Sequence, residues 1–346
     1  MLPTQPLVTI GIPTRNRAYL LEQTIKSVLN QTYKNIEIIV SDNCSDDNTE
    51  EIVRKFGRDK NIYYYRQNTN IGMVNNWNFC LDKANGEFFL LLSDDDILEE
   101  DAIRVLQSKF VEIPSASLVY CRFVRINQYG KKINISNLSP PLETGDEFIV
   151  HMLNGCRQVL PSTALSRRKV LKLIGGYPDI GNAADLAIFL SLAKYGMVAF
   201  VNEPLVKYRV HTGGLSQSLK RVTFTLEALW DWINTNDALY KYKDKVQQYC
   251  IKRLKRMVFH EALRGYKDDF CVTLNFLSKI DNNFKYPVVL RCILIITSIF
   301  NYLGLIPKIE RLLRRYELIF SRVKRFIEVQ IDDTSQTGRK RKLRFW

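Results

Sequence analysis

Three consecutive aspartates, Asp94-Asp95-Asp96, follow Ser93 at the end of the apolar run Phe88 to Leu92. An unbroken apolar run of this length reads as a buried strand, so three carboxylates emerge together at a strand's carboxyl end. Like charges packed this closely repel one another, and a hard divalent cation bridging phosphate oxygens offsets that repulsion. Mg²⁺ or Mn²⁺ suits such a place, taking one or two carboxylates and leaving its other positions to substrate phosphates. The bland alternative is that the acids cap the following helix and favour its N-terminal dipole, but a cap needs one acid and here there are three.

Other segments could serve the same ligand. Pro13-Thr14-Arg15-Asn16-Arg17 offers a hydroxyl, an amide and two guanidiniums beside a helix start, which suits an anionic or nucleotide ligand. A solvated loop with a helix cap has the same composition. Ser41-Asp42-Asn43 sets a carboxylate where it could accept hydrogen bonds from a base or ribose, or simply close an Asx turn. In Asn70-Ile71-Gly72 the glycine lets the backbone come close to a ligand. Asp185 heads an apolar-faced run with Leu186, Phe189, Leu190 and Leu192, and reads either as a general base or as a helix cap. His211 precedes the loop Thr212-Gly213-Gly214, although a lone histidine is more often structural than a ligand. His151 and His260 fall on helical segments without evident partners and receive no role.

These residues need a scaffold, and the pattern supplies one. Leu7–Ile12, Ile36–Val40, Ile62–Tyr65 and Phe88–Leu92 read as strands, alternating with helices over about 18–30, after Asn48, and over about 73–84. Strands that are apolar throughout and alternate with helices predict an α/β fold, a mostly parallel sheet with helices on both faces that binds ligands off the strands' carboxyl ends. A helix over about 99–110 follows. Next come a strand near Leu118–Tyr120 and a hairpin of Phe123–Ile126 with Lys132–Ile135 turned at Tyr129-Gly130. There the alternation stops. A helix over about 185–195 and short strands at Val198–Val201 and Leu205–Tyr208 precede a mainly α-helical C-terminal region.

The chain has 346 residues, 46% of them hydrophobic, enough for one large catalytic domain and an appendage. Its net charge of +14 is uneven: 26 Lys+Arg stand against 13 Asp+Glu from Ser216 onward, and 24 against 23 before it. The expected organisation is therefore 1–112, 113–216, a basic helical region 217–337 and a basic tail 338–346 without fixed structure. The apolar stretch Pro287–Ile306 is interrupted by Arg291 and is too short to cross a bilayer. It either packs in a helical subdomain or lies with the basic helices at a membrane surface, where the Trp346-tipped tail would sit among headgroups. Seven cysteines without a C-x-x-C pair, and three histidines, make no zinc framework. The N-terminus lacks the pattern of a secretory signal, so a cytoplasmic location is expected, with peripheral attachment to the inner membrane face as the alternative for the basic helices. A nucleic-acid binder would explain the basic tail but not the acidic cluster, which repels phosphates unless a metal intervenes.

In order along the chain, Pro-Thr-Arg-Asn-Arg, Ser-Asp-Asn with Asp46 and Asp47, Asn-Ile-Gly with Asn76 and Asn78, Ala84-Asn-Gly-Glu87 and the aspartate triplet resemble the nucleotide-sugar half of the family 2 glycosyltransferases, which have the GT-A fold. The likeness is dense over about 6–112 and thins toward 216. It implies a nucleotide-diphosphate-sugar donor, a glycan or lipid-linked glycan acceptor, and transfer with inversion, as in enzymes of bacterial surface polysaccharides. It places Pro13, Thr14, Arg15, Asp42, Gly72, Asn76 and Asp94 at the nucleotide sugar, with Thr14 and Asp42 toward the base. It also places a divalent cation on Asp95, with Asp96 as second choice, and His211 near the metal or diphosphate. In the second half, Gly175-Gly176-Tyr177 packs near the acceptor and Asp185 is the general base. Three departures stand out: Ser93 where an Asp is common, Trp77 where many relatives carry Arg, and Ala184 in place of the usual Glu. The rivals are a non-catalytic nucleotide-sugar binder and a nucleotidyltransferase, the latter lacking its glycine- and arginine-rich first loop here.

Overall fold

The computed structural model describes residues 5–57, 61–210, 219–264 and 267–281. His211, the expected boundary near 216, the stretch Pro287–Ile306 and the basic tail lie outside the described residues. The first elements are β1 (Val8–Thr14), α1 (Ala18–Leu29), β2 (Ile36–Asp42), α2 (Thr49–Arg54), β3 (Ile62–Arg66), α3 (Met73–Lys83) and β4 (Phe88–Leu91). Then follow β5 (Ile97–Leu98), α4 (Ala102–Glu112), β6 (Ala116–Asn127), β7 (Lys132–Ile135), β8 (Leu142–Glu143) and α5 (Gly145–Leu153). A 3-10 turn at Pro161–Thr163 leads into β9 (Ala164–Arg167) and α6 (Arg168–Leu173). A second 3-10 turn, Gly181–Ala183, leads into α7 (Ala184–Ala193) and β10 (Met197–Val210). Helices α8 (Leu219–Thr235), α9 (Lys243–Arg264) and α10 (Lys267–Ile280) complete the series.

One ten-stranded sheet runs in the order β3-β2-β1-β4-β9-β6-β10-β5, with β7 paired to β6 and β8 to β10. Its first half is parallel, as the continuous apolar strands predict: β1 pairs with β2 and with β4, and β2 with β3. The chain leaves β1 toward β2 and β3 and then returns to the other side of β1 as β4. The strand order therefore reverses between β1 and β4, and the crevice outside their carboxyl ends is where such sheets take ligands. Thr14 ends β1, and the aspartates follow β4. Packing explains the helices between: Leu21, Ile25 and Val28 of α1 fall at helical spacing and are buried against Ile10, Ile12 and Leu90 of the same core.

Strand β9 lies antiparallel between β4 and β6, and β10 lies parallel to β6. The carboxyl end of β10 therefore arrives on the same side of the sheet as those of β1 and β4. The sequence pattern does not predict β9; Ala-Leu-Ser-Arg is too short and too mixed to stand out. It also divides two strands that are continuous: β6 includes both Leu118–Tyr120 and Phe123–Ile126, and β10 joins Val198–Val201 to Leu205–Tyr208 across Asn202-Glu203-Pro204 with register shifts. The helix expected from Glu99 begins at Ala102, because Ile97–Leu98 pairs with β10 as an edge strand.

The chain divides into two compact units, Met1–Arg253 and Leu254–Trp346. Within the first, α8 packs against the turn Gly181–Ala183 that precedes Asp185. Within the second, Leu254, Met257, Phe276, Leu277 and Ile280 are buried and Lys255 pairs with Asp281 at 2.7 Å. Among the described residues no helix is long and apolar enough to cross a membrane.

Candidate active site

The aspartate triplet is held from four directions. Thr14 Oγ1 donates to Asp94 Oδ2 at 2.7 Å, and Arg17 Nη1 reaches Asp94 Oδ1 at 2.9 Å and Asp95 Oδ2 at 3.2 Å. The Ser162 hydroxyl donates to Asp96 Oδ2 at 2.6 Å and accepts from the Ser93 amide at 3.1 Å. The Arg209 amide donates to Asp96 Oδ1 at 3.0 Å, while its Nε donates to the Asp95 carbonyl at 2.9 Å. Thr24 of α1 donates to the Asp96 carbonyl at 2.8 Å. Asp96 is 0% exposed with a partner on each oxygen, whereas Asp95, at 9%, is the most open of the three.

Burial sets the electrostatics. It pushes the Asp94 carboxyl up to about 6 against the pull of Arg17, with Asp95 adding to the rise. Burial followed by repulsion from Asp95 also raises Asp96. Burial disfavours the Arg17 cation, yet Asp94 and Asp95 outweigh this and hold it protonated. Arg17 is thus the resident countercharge of the cluster, while Arg209 binds it through its backbone amide and through Nε to the Asp95 carbonyl.

A cavity of about 580 Å³ opens in front of these residues. Of the residues singled out from the sequence, Pro13, Thr14, Arg15, Gly72, Asn76, Asp94, Asp95, Asp96 and Asp185 all border it. Asp42 does not: it lies fully buried behind the loop, accepting from the Ser45 amide at 2.9 Å and from the Tyr64 hydroxyl at 2.7 Å. Asn43 stands on the cavity instead, its Nδ2 donating to Asn70 Oδ1 at 2.8 Å and its Oδ1 accepting from the Ile71 amide at 2.8 Å. Gly72, at φ +86°, adopts a left-handed backbone that starts α3 and that a side chain would strain. Asn76 is tied to β2, accepting from Ser41 Oγ at 2.6 Å and donating to the Ser41 carbonyl at 2.9 Å. Asp46 and Asp47 brace the first loop, through Asp46 N to Asn16 Oδ1 at 2.7 Å and Ala18 N to Asp47 Oδ2 at 3.0 Å.

Asp185 lies in the first turn of α7, where its Oδ1 accepts from the Leu186 amide at 2.6 Å. Burial pushes its carboxyl up to about 6. The Gly175-Gly176-Tyr177 segment is fastened to α3 by a reciprocal pair: Asn78 Nδ2 donates to the Tyr177 carbonyl and the Tyr177 amide donates to Asn78 Oδ1, each at 2.8 Å. Gly176, at φ +78°, leaves no room for a side chain, since a Cβ there would lie 2.5 Å from Asn78 Oδ1. The sequence offered the Arg17 guanidinium to an anionic ligand and not to the aspartates, and Ser162 and Arg209 received no role there. An arginine near the end of a strand that carries buried aliphatic residues, as Arg209 is in β10, was the available signal. His151, expected without partners, faces Glu143 Oε1 at 2.6 Å, and Arg157 donates to the same carboxylate through Nε and Nη2 at 2.7 Å. The reason is β8, which brings Glu143 under α5; the cluster lies away from the cavity.

Among the described residues no group of three or more His, Cys, Asp or Glu side chains is arranged as a protein-only metal cage. A cluster on the cavity wall whose most exposed carboxylate is Asp95 fits instead a cation that takes most of its ligands from substrate phosphates.

The model of glycosyl transferase family 2 matches residues 9–173. A glycosyltransferase of Rickettsia typhi is 31% identical over 235 residues, which is 65% of this chain and 70% of the relative. The chain belongs to glycosyl transferase family 2. The matched residues include the loop after β1, the aspartate triplet and Ser162, and end before Tyr177, Asp185 and Arg209. The teichuronic acid biosynthesis glycosyltransferase TuaG of Bacillus subtilis is 28% identical over 62% of this chain and 83% of its own. Among solved structures, S. aureus TarS in complex with UDP aligns with a TM-score of 0.57 at 17% identity, covering 72% of each chain. The mannosyltransferase PcManGT of Pyrobaculum calidifontis, in complex with GDP-Man and Mn²⁺, aligns at 0.51 and 16%, covering 87% and 88%. These likenesses establish the GT-A fold.

The raised Asp185 carboxyl gives a stability prediction. Its ordinary value is 3.8 and its folded value about 6, so its contribution is full below the first and lost as pH rises through the second. Asp185→Asn removes the buried charge and keeps the acceptor for the Leu186 amide. Urea denaturation at pH 8 should show the variant more stable by about 1–3 kcal/mol, with the gain gone near pH 4. An equal or lower stability at pH 8 would contradict the burial of this charge.

Proposed function

We propose that this family 2 glycosyltransferase moves a sugar from a nucleotide-diphosphate-sugar donor to a hydroxyl of a glycan or lipid-linked glycan, with inversion and with a divalent cation. The observation that carries this reading is that Asp94, Asp95 and Asp185, from opposite halves of the chain, border one cavity at the sheet's switch point. The donor's nucleotide would lie along Pro13, Thr14, Arg15, Asn43 and Gly72. In this reading Asn76 and Asp42 act from beneath, Asn76 joining α3 to β2 and Asp42 fixing Ser45 and Tyr64. Asp94 helps Arg17 shape the floor.

Asp95 is the residue to hold Mn²⁺ or Mg²⁺, with Asp96 behind it; His211 remains a candidate partner on sequence grounds. Bound there, the cation would supply charge neutralisation to the leaving diphosphate. Asp185, poised near 6, accepts the proton of the acceptor hydroxyl. That oxygen forms its bond to the anomeric carbon as the bond to the diphosphate oxygen breaks, and the electron pair leaves with the nucleoside diphosphate. Attack from the side of Asp185, opposite the aspartate cluster, inverts the centre. The names of TuaG and of a Campylobacter jejuni glucosyltransferase acting on an undecaprenol-linked glycan, 42% identical over 30% of this chain, support an acceptor of the surface-polysaccharide class. A non-catalytic nucleotide-sugar binder is the second reading, favoured by Ala184 standing before Asp185.

Nucleoside-diphosphate release from UDP-, GDP- and dTDP-sugars, with Mn²⁺ or EDTA, tests the proposal. One donor should be hydrolysed slowly by the wild type, and both EDTA and Asp95→Asn should abolish the release. Asp185→Asn should lower transfer by about 10²–10⁴-fold, and the wild-type rate should fall below pH about 6 as Asp185 takes up its proton. Tight donor binding without release under any condition would favour the binder.

The excess of positive charge beyond Ser216 supports peripheral attachment to anionic membrane. The full chain should co-sediment with phosphatidylglycerol vesicles at low salt and dissociate at high salt. No binding at low salt would sink this part of the proposal.

A further inference from the structure

Trp77 occupies a distinctive place in the cavity wall. It follows Asn76 on α3, one helical turn beyond Met73 and Gly72, which border the nucleotide end. On its other side its ring meets that of Tyr177 edge to face, with centroids 5.4 Å apart and planes at 77°. Tyr177 is in turn fixed by the two hydrogen bonds to Asn78 and is buried close enough to Asp185 to feel its charge. Trp77 therefore lines the cavity shared by the nucleotide-end residues and the base, next to Gly72 and Met73 on α3 and in contact with Tyr177, the ring that neighbours the base. The part of a nucleotide-sugar donor that must lie there is the sugar ring, since the anomeric carbon has the diphosphate on one side and the attacking hydroxyl on the other.

The chemistry of the side chain suits that position. The C–H bonds on one face of a pyranose are weakly positive, and the face of an indole is negative, so the two attract as rings offset-stack in protein cores. Small-ligand sites commonly pair one such aromatic wall with a few polar groups that fix orientation. Trp77 is half-buried, and among the described residues its indole N–H has no hydrogen-bond partner. That leaves the N–H to donate to a ring hydroxyl. The arrangement is rigid: the Asn78 pair anchors Tyr177 and Tyr177 braces the indole, so little side-chain freedom is lost when a ligand arrives.

We infer that Trp77 is the platform on which the donor's sugar ring packs, and that it takes part in selecting which hexose the enzyme accepts. The inference rests on the transferase reading above. It distinguishes the sugar from the nucleotide: Trp77 contributes to binding the first and not the second.

The test is calorimetric binding, in Mn²⁺, of UDP, GDP and dTDP and of their hexose conjugates to the wild type, Trp77→Phe and Trp77→Ala. Removing the platform should weaken the preferred nucleotide sugar about tenfold while the bare nucleoside diphosphate changes less than about twofold, and Phe should recover most of the loss. Intrinsic fluorescence gives a second readout, because the chain has only four tryptophans. Emission should change when the nucleotide sugar binds but not when the diphosphate alone binds, and that change should be missing from Trp77→Phe. Equal losses for diphosphate and nucleotide sugar, or unchanged affinities for both, in variants that melt like the wild type would overturn the inference. A wild type that binds none of these ligands would instead overturn the transferase reading on which it rests.

Discussion

Three adjacent carboxylates cannot be buried at the end of a strand without compensation, and most of what is specific in this structure is that compensation. A buried charge must be paired and hydrogen-bonded, or it titrates to its neutral form. Here the end of β1 supplies Thr14, the loop into α1 supplies Arg17, α1 supplies Thr24, the turn before β9 supplies Ser162 and the end of β10 supplies Arg209. These five residues span nearly two hundred positions of sequence. The cluster is thus a junction at which the parallel half of the sheet and the later strands are fastened together.

The sheet order makes the junction possible. Because β4 returns beside β1 and not beside β3, the loops after β1 and β4 face each other across a crevice. Because β9 runs antiparallel, the chain can start it beside the aspartates, cross the sheet and still return in β10 to end on the same side. The second half then closes the cavity twice, through the Asn78–Tyr177 pair and through α7, which carries Asp185. The aspartate cluster and Asp185 border one space because Tyr177 is tied to α3 and β9 to β4.

Much of this was legible in the residues. The first hundred positions announce themselves, since parallel strands buried on both faces read as unbroken apolar runs and their helices carry clear apolar stripes. The aspartates were conspicuous because three acids after such a run have no cheap structural explanation. What escaped depends on partners distant in sequence. Ser162 is one serine among many until the fold sets it between Ser93 and Asp96. Arg209 sits in a strand whose exposed Asn202-Glu203-Pro204 segment breaks the apolar pattern, so β10 reads as two short pieces with an arginine at the end. Asp42 illustrates the converse: its position after β2 is the expected one, but Tyr64 on the neighbouring strand and the Ser45 amide turn its carboxylate away from the cavity. His151 found Glu143 only because β8 pairs with β10.

In the proposed reaction one base, facing a caged acidic cluster across a single cavity, performs a single displacement. The most direct measurement is proton NMR of the sugar first released when water replaces the acceptor, with an α-linked nucleotide sugar as donor and spectra taken before mutarotation. The β anomer should appear first. Release of the α anomer would contradict it, and would require a second displacement or a different geometry of attack.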